Sequence, residues 1–357
     1  MPFPHLAFSV ALILAPTEFT LAKIQFCGSQ KNGNPTDYSI HSTGLVKARG
    51  WDMFERLKQQ LNTVKSELEI PQSNAVIRVI GDRASGKTTY MAALARWPNA
   101  NPASLVQSVT PINEVGEALI AKAQNVLEQG LELEPSDLEA DAEEVNDYSF
   151  SIILKRQFSL RSSHTNLSGI PIQLNISCKD YAGEFFSDLL YQANDPKLKS
   201  YLADCMQATG IMFLVDGSTR KDADYAIGIE KFLKTLEPYD NASELRQVAL
   251  VLTKCEQPDL WDKRHQPKRL ADARYPQVCS KLRAWQAGTS RKIDFFATSA
   301  FGMIGTQFPE ANSKQLTRSR GGVTSILKDP KRWRPFGLVA PIYWLCTGAR
   351  HKQLDED

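Results

Sequence analysis

The sequence predicts an α/β fold: a mostly parallel sheet with helices on both faces and an antiparallel hairpin at one edge. Three observations predict it. From Ala75 onward, short β-branched apolar runs alternate with helical stretches. The first run ends in a glycine-rich segment that leads directly into a helix. Two further β-rich runs, 148–160 and 170–179, are separated only by Ser, His, Asn and Gly residues, which reads as a hairpin.

Taken in order, residues 1–50 read as a poorly ordered extension. It opens on an apolar run from Leu6 to Ala15, flanked by no preceding Lys or Arg and too short to span a bilayer. That run is a signal-like segment, a packed N-terminal piece, or an over-extended start upstream of Met53. Residues 23–50 are rich in Gly, Asn, Ser, Thr and Lys, the composition of a linker. Trp51, Phe54, Leu57, Leu61, Val64 and Leu68 recur at three- and four-residue spacing, so 51–70 is an amphipathic helix whose stripe faces a core or a partner. The main domain then spans 75–348. Its expected strands are 75–80, the hairpin pair, 211–215, 248–252 and 293–297; its helices are 87–97, 114–129, 183–192, 197–209, 225–236, 270–286 and 338–347. Polar and acidic residues near 98–147 form an insertion, and 301–334, rich in Gly, Ser, Lys and Arg, forms a long loop.

Composition narrows the function classes. Hydrophobic residues make up 42% of the chain, enough for a sizeable core. Forty-two basic against 40 acidic side chains leave a net charge of +2, which supplies no overall field for nucleic acid or an anionic membrane. Six cysteines and five histidines are scattered without metal-ligand spacing, as expected of a reduced, cytoplasmic protein without structural zinc.

The most specific motif is Gly81-x4-Gly86-Lys87-Thr88 between strand and helix. Glycines let the backbone curl until successive amides point at phosphate oxygens, and the helix N-terminus adds its dipole. Within this loop Gly81, Ser85, Gly86, Lys87, Thr88 and Thr89 are the candidate nucleotide-binding residues. Lys87 would bridge the terminal phosphates, and the Thr88 hydroxyl would join magnesium. A plain strand-to-helix turn would explain the glycines but not the Lys-Thr pair.

Three later segments extend the pattern. Asp180-Tyr181-Ala182-Gly183-Glu184 follows the hairpin, Thr253-Lys254-Cys255-Glu256 follows the strand 248–252, and Thr298-Ser299-Ala300 follows 293–297. Together with the loop, and in this order, they resemble the motifs of Ras-like GTPases. The resemblance covers about 75–348 and implies a P-loop NTPase fold that binds GTP and Mg2+. It implies that Asp180 reaches magnesium through water, and that the Gly183 amide meets the γ-phosphate. Thr253, Lys254 and Glu256 stand where the family carries Asn or Thr, then Lys-x-Asp, whose carboxylate accepts two hydrogen bonds from guanine. Glu256 is one methylene longer than that aspartate, which leaves adenine as an alternative base. Ser299 and Ala300 match the short motif that supports the guanine.

Within the family, a bacterial double-GTPase branch places a threonine after a segment with Leu, Gly and Pro. Ser136 in the stretch from Leu127 is similar, and would be a metal ligand or else the cap of a short acidic helix. The resemblance also implies a switch acting on a protein effector or a second GTPase subunit. Glu184 occupies the place of the water-orienting glutamine and would serve hydrolysis poorly, because an ionised carboxylate donates no hydrogen bond. Arg83 is either an arginine acting in cis on the γ-phosphate or a solvent-facing loop residue. Slow GTP hydrolysis is therefore expected, with a binding module lacking turnover and a P-loop ATPase as alternatives.

Overall fold

The computed structural model describes residues 72–100, 103–131, 145–155, 172–180, 189, 196–239, 246–305, 308–317 and 323–356. All belong to one compact unit, 68–357. The expected helix at 51–70 and the extension before it lie outside the described residues, as does most of the expected helix at 183–192.

Seven of the described strands form one sheet: β1 (Gln72–Ile80), β2 (Val106–Pro111), β3 (Asp147–Leu154), β4 (Ile172–Asp180), β5 (Gly210–Asp216), β6 (Gln247–Thr253) and β7 (Lys292–Ala297). Their order is β2-β3-β4-β1-β5-β6-β7. The five strands from β4 to β7 in this order pair parallel, while β3 pairs antiparallel with both β4 and β2. This is the predicted phosphate-loop α/β architecture, with its hairpin at the edge.

Burial on both faces accounts for the continuous apolar strands. On β5, Met212 and Leu214 pack into one core and Ile211, Phe213 and Val215 into the other. The first core is covered by α1 (Lys87–Ala100), α2 (Glu114–Gln129) and the apolar α8 (Ala340–Thr347). The second is covered by α3 (Pro196–Met206), α4 (Asp222–Leu236), α6 (Pro267–Arg274) and α7 (Pro276–Gln286), with the short α5 (Pro258–Trp261) at its rim. Among the described residues no helix is long and apolar enough to cross a membrane.

Several boundaries differ from the sequence reading, each for a local reason. The single helix expected at 270–286 is broken at Tyr275 (φ −134°, ψ 57°), because Pro276 excludes its predecessor from the helical region and starts a new helix. The polar stretch after Pro98 contains the edge strand β2, of which Val106 alone is buried. The supposed loop at 301–334 holds two small antiparallel pairs, β8 (Met303–Ile304) with β9 (Glu310–Ala311) and β10 (Ser313–Thr317) with β11 (Val323–Leu327). A further short helix, α9 (Lys352–Glu356), follows α8 and anchors Leu354 in the first core.

One ionic cluster interrupts the apolar sheet. Arg78 on β1 stands opposite Lys179 on β4, and Asp204 from α3 accepts from both, with Nε–Oδ2 at 2.6 Å and Nζ–Oδ1 at 3.1 Å. Arg78 is almost fully buried, so the carboxylate offsets a charge that water does not reach. Replacing Asp204 with Ala is expected to lower stability by about 3 kcal/mol, read as the urea midpoint, because it strips a buried guanidinium of its carboxylate.

Candidate functional site

The expected site residues that the structure describes gather at the carboxyl ends of β4, β1, β6 and β7, the edge where open parallel sheets bind ligands. At the end of β1 a Cβ on Gly81 would stand 2.5 Å from the Leu214 carbonyl oxygen, so only glycine lets the chain leave the sheet this close to β5. A turn follows, in which the Ser85 amide donates to the Asp82 carbonyl at 3.1 Å. Ala84 (φ 62°) and Gly86 (φ 92°) then take left-handed conformations. Alternating handedness of this kind turns consecutive amides into one concavity, and the first amides of α1 have no acceptor inside the helix. The Lys87 ammonium is drawn back across this concavity, donating to Gly81 O at 2.8 Å and Asp82 O at 3.3 Å. Thr88 and Thr89 are half-buried in the first helical turn, and the Arg83 side chain is exposed.

Ser85 serves the loop itself. Its amide is spent on Asp82, and its carbonyl accepts the Thr253 hydroxyl at 2.6 Å from the end of β6. Its own hydroxyl is buried without a hydrogen-bond partner.

Beyond Thr253 the chain turns sharply at Lys254 (φ 57°), and the Lys254 ammonium reaches Asp216 at the end of β5, 2.5 Å away. The Asp216 carboxylate also accepts from the Ser218 amide and hydroxyl, and the Tyr275 hydroxyl donates to its carbonyl. The Cys255 amide donates to Thr298 O, tying this turn to the loop after β7. Burial pushes the Cys255 thiol up to about 12, so it stays neutral.

Glu256 is only 3% exposed. The Gly302 amide donates to Ser299 Oγ at 2.7 Å, and that hydroxyl donates its single proton to Glu256 Oε2 at 2.7 Å. This relay fixes Glu256 as an acceptor and brings two motifs of the sequence into contact. Burial raises its carboxyl above the ordinary value of 4.5, and the Ser299 bond opposes that rise. The extra methylene does not carry the group into solvent; it is folded back onto Ser299. A reciprocal pair of backbone bonds between Ser299 and Phe336, 3.0 and 2.8 Å, supports the loop, and Ala300 O accepts the Trp333 indole at 2.8 Å.

The expected magnesium ligands would be the Thr88 hydroxyl and Asp180; the backbone of Asp180 pairs with Val79, two residues before Gly81. Hard oxygen donors this few fit an ion that keeps waters and phosphate oxygens as its other ligands. Among the described residues no cluster of three His, Cys, Asp or Glu side chains could hold a metal alone. Ser136, Gly183 and Glu184 lie outside the described residues.

The sequence reading passed over Asp216, Asp82 and Lys221. Asp216 carried a signal, as the one carboxylate ending an otherwise apolar strand at the binding edge. The contact between Asp82 and Lys221 carried none.

Neither a protein-family model nor a curated relative matches this sequence. Solved structures with partial similarity include an SsGBP variant (12% identity, 72% of this chain and 59% of that one, TM-score 0.28). Sup35 complexed with GDP (10%, 64% and 38%, TM-score 0.30) is another. A third is the SRb-GTP/SRX signal recognition particle receptor complex from Chaetomium thermophilum (13%, 67% and 93%, TM-score 0.30). The chain spans less than two thirds of the length of the first two.

Two outcomes follow from the geometry. Thr253→Val replaces a buried donor by a methyl of similar shape and is expected to cost about 1–3 kcal/mol in urea unfolding, because the Ser85 carbonyl loses that donor. Glu256, with its folded value raised, contributes stability below the ordinary carboxylate range that is lost as pH rises through the folded value. Glu256→Gln should flatten that slope in unfolding series from about pH 4 to 8.

Proposed function

We propose that this chain is a magnesium-dependent GTP-binding switch of the Ras-like kind, with slow hydrolysis, that regulates a protein partner in the cytoplasm. One arrangement carries the reading: the Ser299-held carboxylate of Glu256 sits three residues from Thr253, whose hydroxyl is bonded to the phosphate loop. A nucleotide whose phosphates occupy the loop would lay its base toward Glu256. Guanine offers that carboxylate two adjacent N–H donors, and adenine does not.

In this reading the loop amides and Lys87 bind the β- and γ-phosphates. Thr88 directly and Asp180 through water would hold the magnesium ion, which would neutralise charge between those phosphates. Gly183 would sense the γ-phosphate, and Glu184 would take the place of the water-orienting glutamine. A carboxylate there adds charge near a developing anion, so unassisted turnover of roughly 10⁻⁴ to 10⁻² per second is expected. A partner, either an effector or a second GTPase subunit, would then set the lifetime of the bound state. An ATPase is the second reading, favoured by the extra methylene of Glu256, whose carboxylate is folded back onto Ser299 and could miss the guanine edge.

Competition against labelled GTP decides the base. Excess ATP should displace little of it at neutral pH, and equal displacement by ATP would overturn the guanine assignment. Lys87→Ala should abolish binding in calorimetry. Magnesium-dependent phosphate release should be measurable in the wild type and lost in Asp180→Ala; its absence in the wild type would leave a binding module without turnover.

A further inference from the structure

A carboxylate is built into the phosphate loop at Asp82, the residue after Gly81, and both of its oxygens are engaged. Oδ1 accepts the Arg83 amide at 2.8 Å. Oδ2 accepts the Lys221 ammonium at 2.6 Å and the Tyr225 hydroxyl at 3.4 Å. The same residue's carbonyl takes the Ser85 amide and Lys87 Nζ. Main chain and side chain are thus pinned together, and the carboxylate, 13% exposed, is held against the loop. Lys221 occupies the N-cap position of α4 without capping it through its side chain. Burial pushes the Tyr225 phenol upward, so it remains a donor.

We propose that Lys221 is a positioning residue that makes the loop competent for a triphosphate by neutralising Asp82. This rests on the nucleotide-binding reading above. Lys221 is 53% exposed, so its ammonium keeps much of its hydration and its pairing with the more buried Asp82 adds only modestly to folding. Beside a polyanion the cost of an unpaired carboxylate grows with each phosphate charge. Removing the lysine should therefore harm GTP binding more than GDP binding, and removing Asp82 as well should cancel the harm.

The test uses the full chain: wild type, Lys221→Met, Lys221→Arg, Asp82→Asn and the Asp82→Asn/Lys221→Met double variant. Calorimetry with magnesium measures GTP, GDP, inorganic tripolyphosphate and pyrophosphate, alongside urea midpoints. Lys221→Met, which keeps the aliphatic stem, should weaken GTP and tripolyphosphate by about tenfold and their diphosphate counterparts by less, with an unchanged midpoint. Lys221→Arg should stay within about threefold of wild type, and the double variant should return to within about threefold. Equal triphosphate affinity in Lys221→Met and wild type overturns the inference. So does a double variant as weak as Lys221→Met, since Lys221 would then not act through Asp82. A wild type that binds tripolyphosphate but not GTP overturns the guanine reading alone, because the same comparison is read on tripolyphosphate. A wild type that binds no polyphosphate overturns both.

Discussion

The hydrogen bond from Thr253 to the Ser85 carbonyl is the contact on which the site depends. A phosphate-binding loop is a run of backbone with little side-chain packing, and its amides converge only if something fixes its curvature. Here Gly81 packs against the β5 backbone at one end and α1 begins at the other. Between them the middle of the loop is held by a hydroxyl from a different strand. Because Thr253 ends β6, the bond also locks the height of the β6 turn, and with it Lys254 and Glu256, relative to the loop. One short contact thereby sets the distance between the two halves of a ligand site.

Much of this was legible in the sequence where one residue type has one physical meaning. The strands β5 and β6 declared themselves as nearly unbroken apolar runs, because burial on both faces leaves no room for alternation. The loop declared itself through Gly86 and Lys87 at the end of β1. Strands such as β10, with the sequence Ser-Lys-Gln-Leu-Thr and its residues largely exposed, were not legible. They are held by backbone pairing and by the burial of Ile326 and Leu327 on the partner strand. In the site, the motifs assigned Glu256 and Ser299 separately to the base, and nothing in the sequence announced that the two would be bonded to each other. The Asp82 and Lys221 pair joins residues 139 apart, and no local pattern announces it.

The electrostatics of the site follow a graded logic. A phosphate site would be expected to exclude carboxylates, yet Asp82, Asp216 and Glu256 stand just after β1, at the end of β5 and just after β6. Two of them carry a lysine: Asp82 is paired with Lys221 and Asp216 with Lys254. Those pairs cancel charge close to the phosphate loop, and they use its neighbours as anchors, so each cation also fixes a loop. Glu256 is treated differently. Its close partner is a neutral hydroxyl, which orients the carboxylate without neutralising it.

That difference has a consequence for ligand orientation. A group that enters with its anionic end toward Glu256 meets a buried carboxylate with no direct ionic partner, whereas the same group meets converging amides and Lys87 at the other end. Desolvation makes the first encounter costly and the second favourable. In the nucleotide-binding reading the site is therefore polarised along its length. A ligand suits it when it is strongly anionic at one end and offers hydrogen-bond donors at the other. The Gly302–Ser299–Glu256 relay sharpens the second requirement, because the Ser299 proton is committed to Glu256 and holds that carboxylate in one orientation as an acceptor.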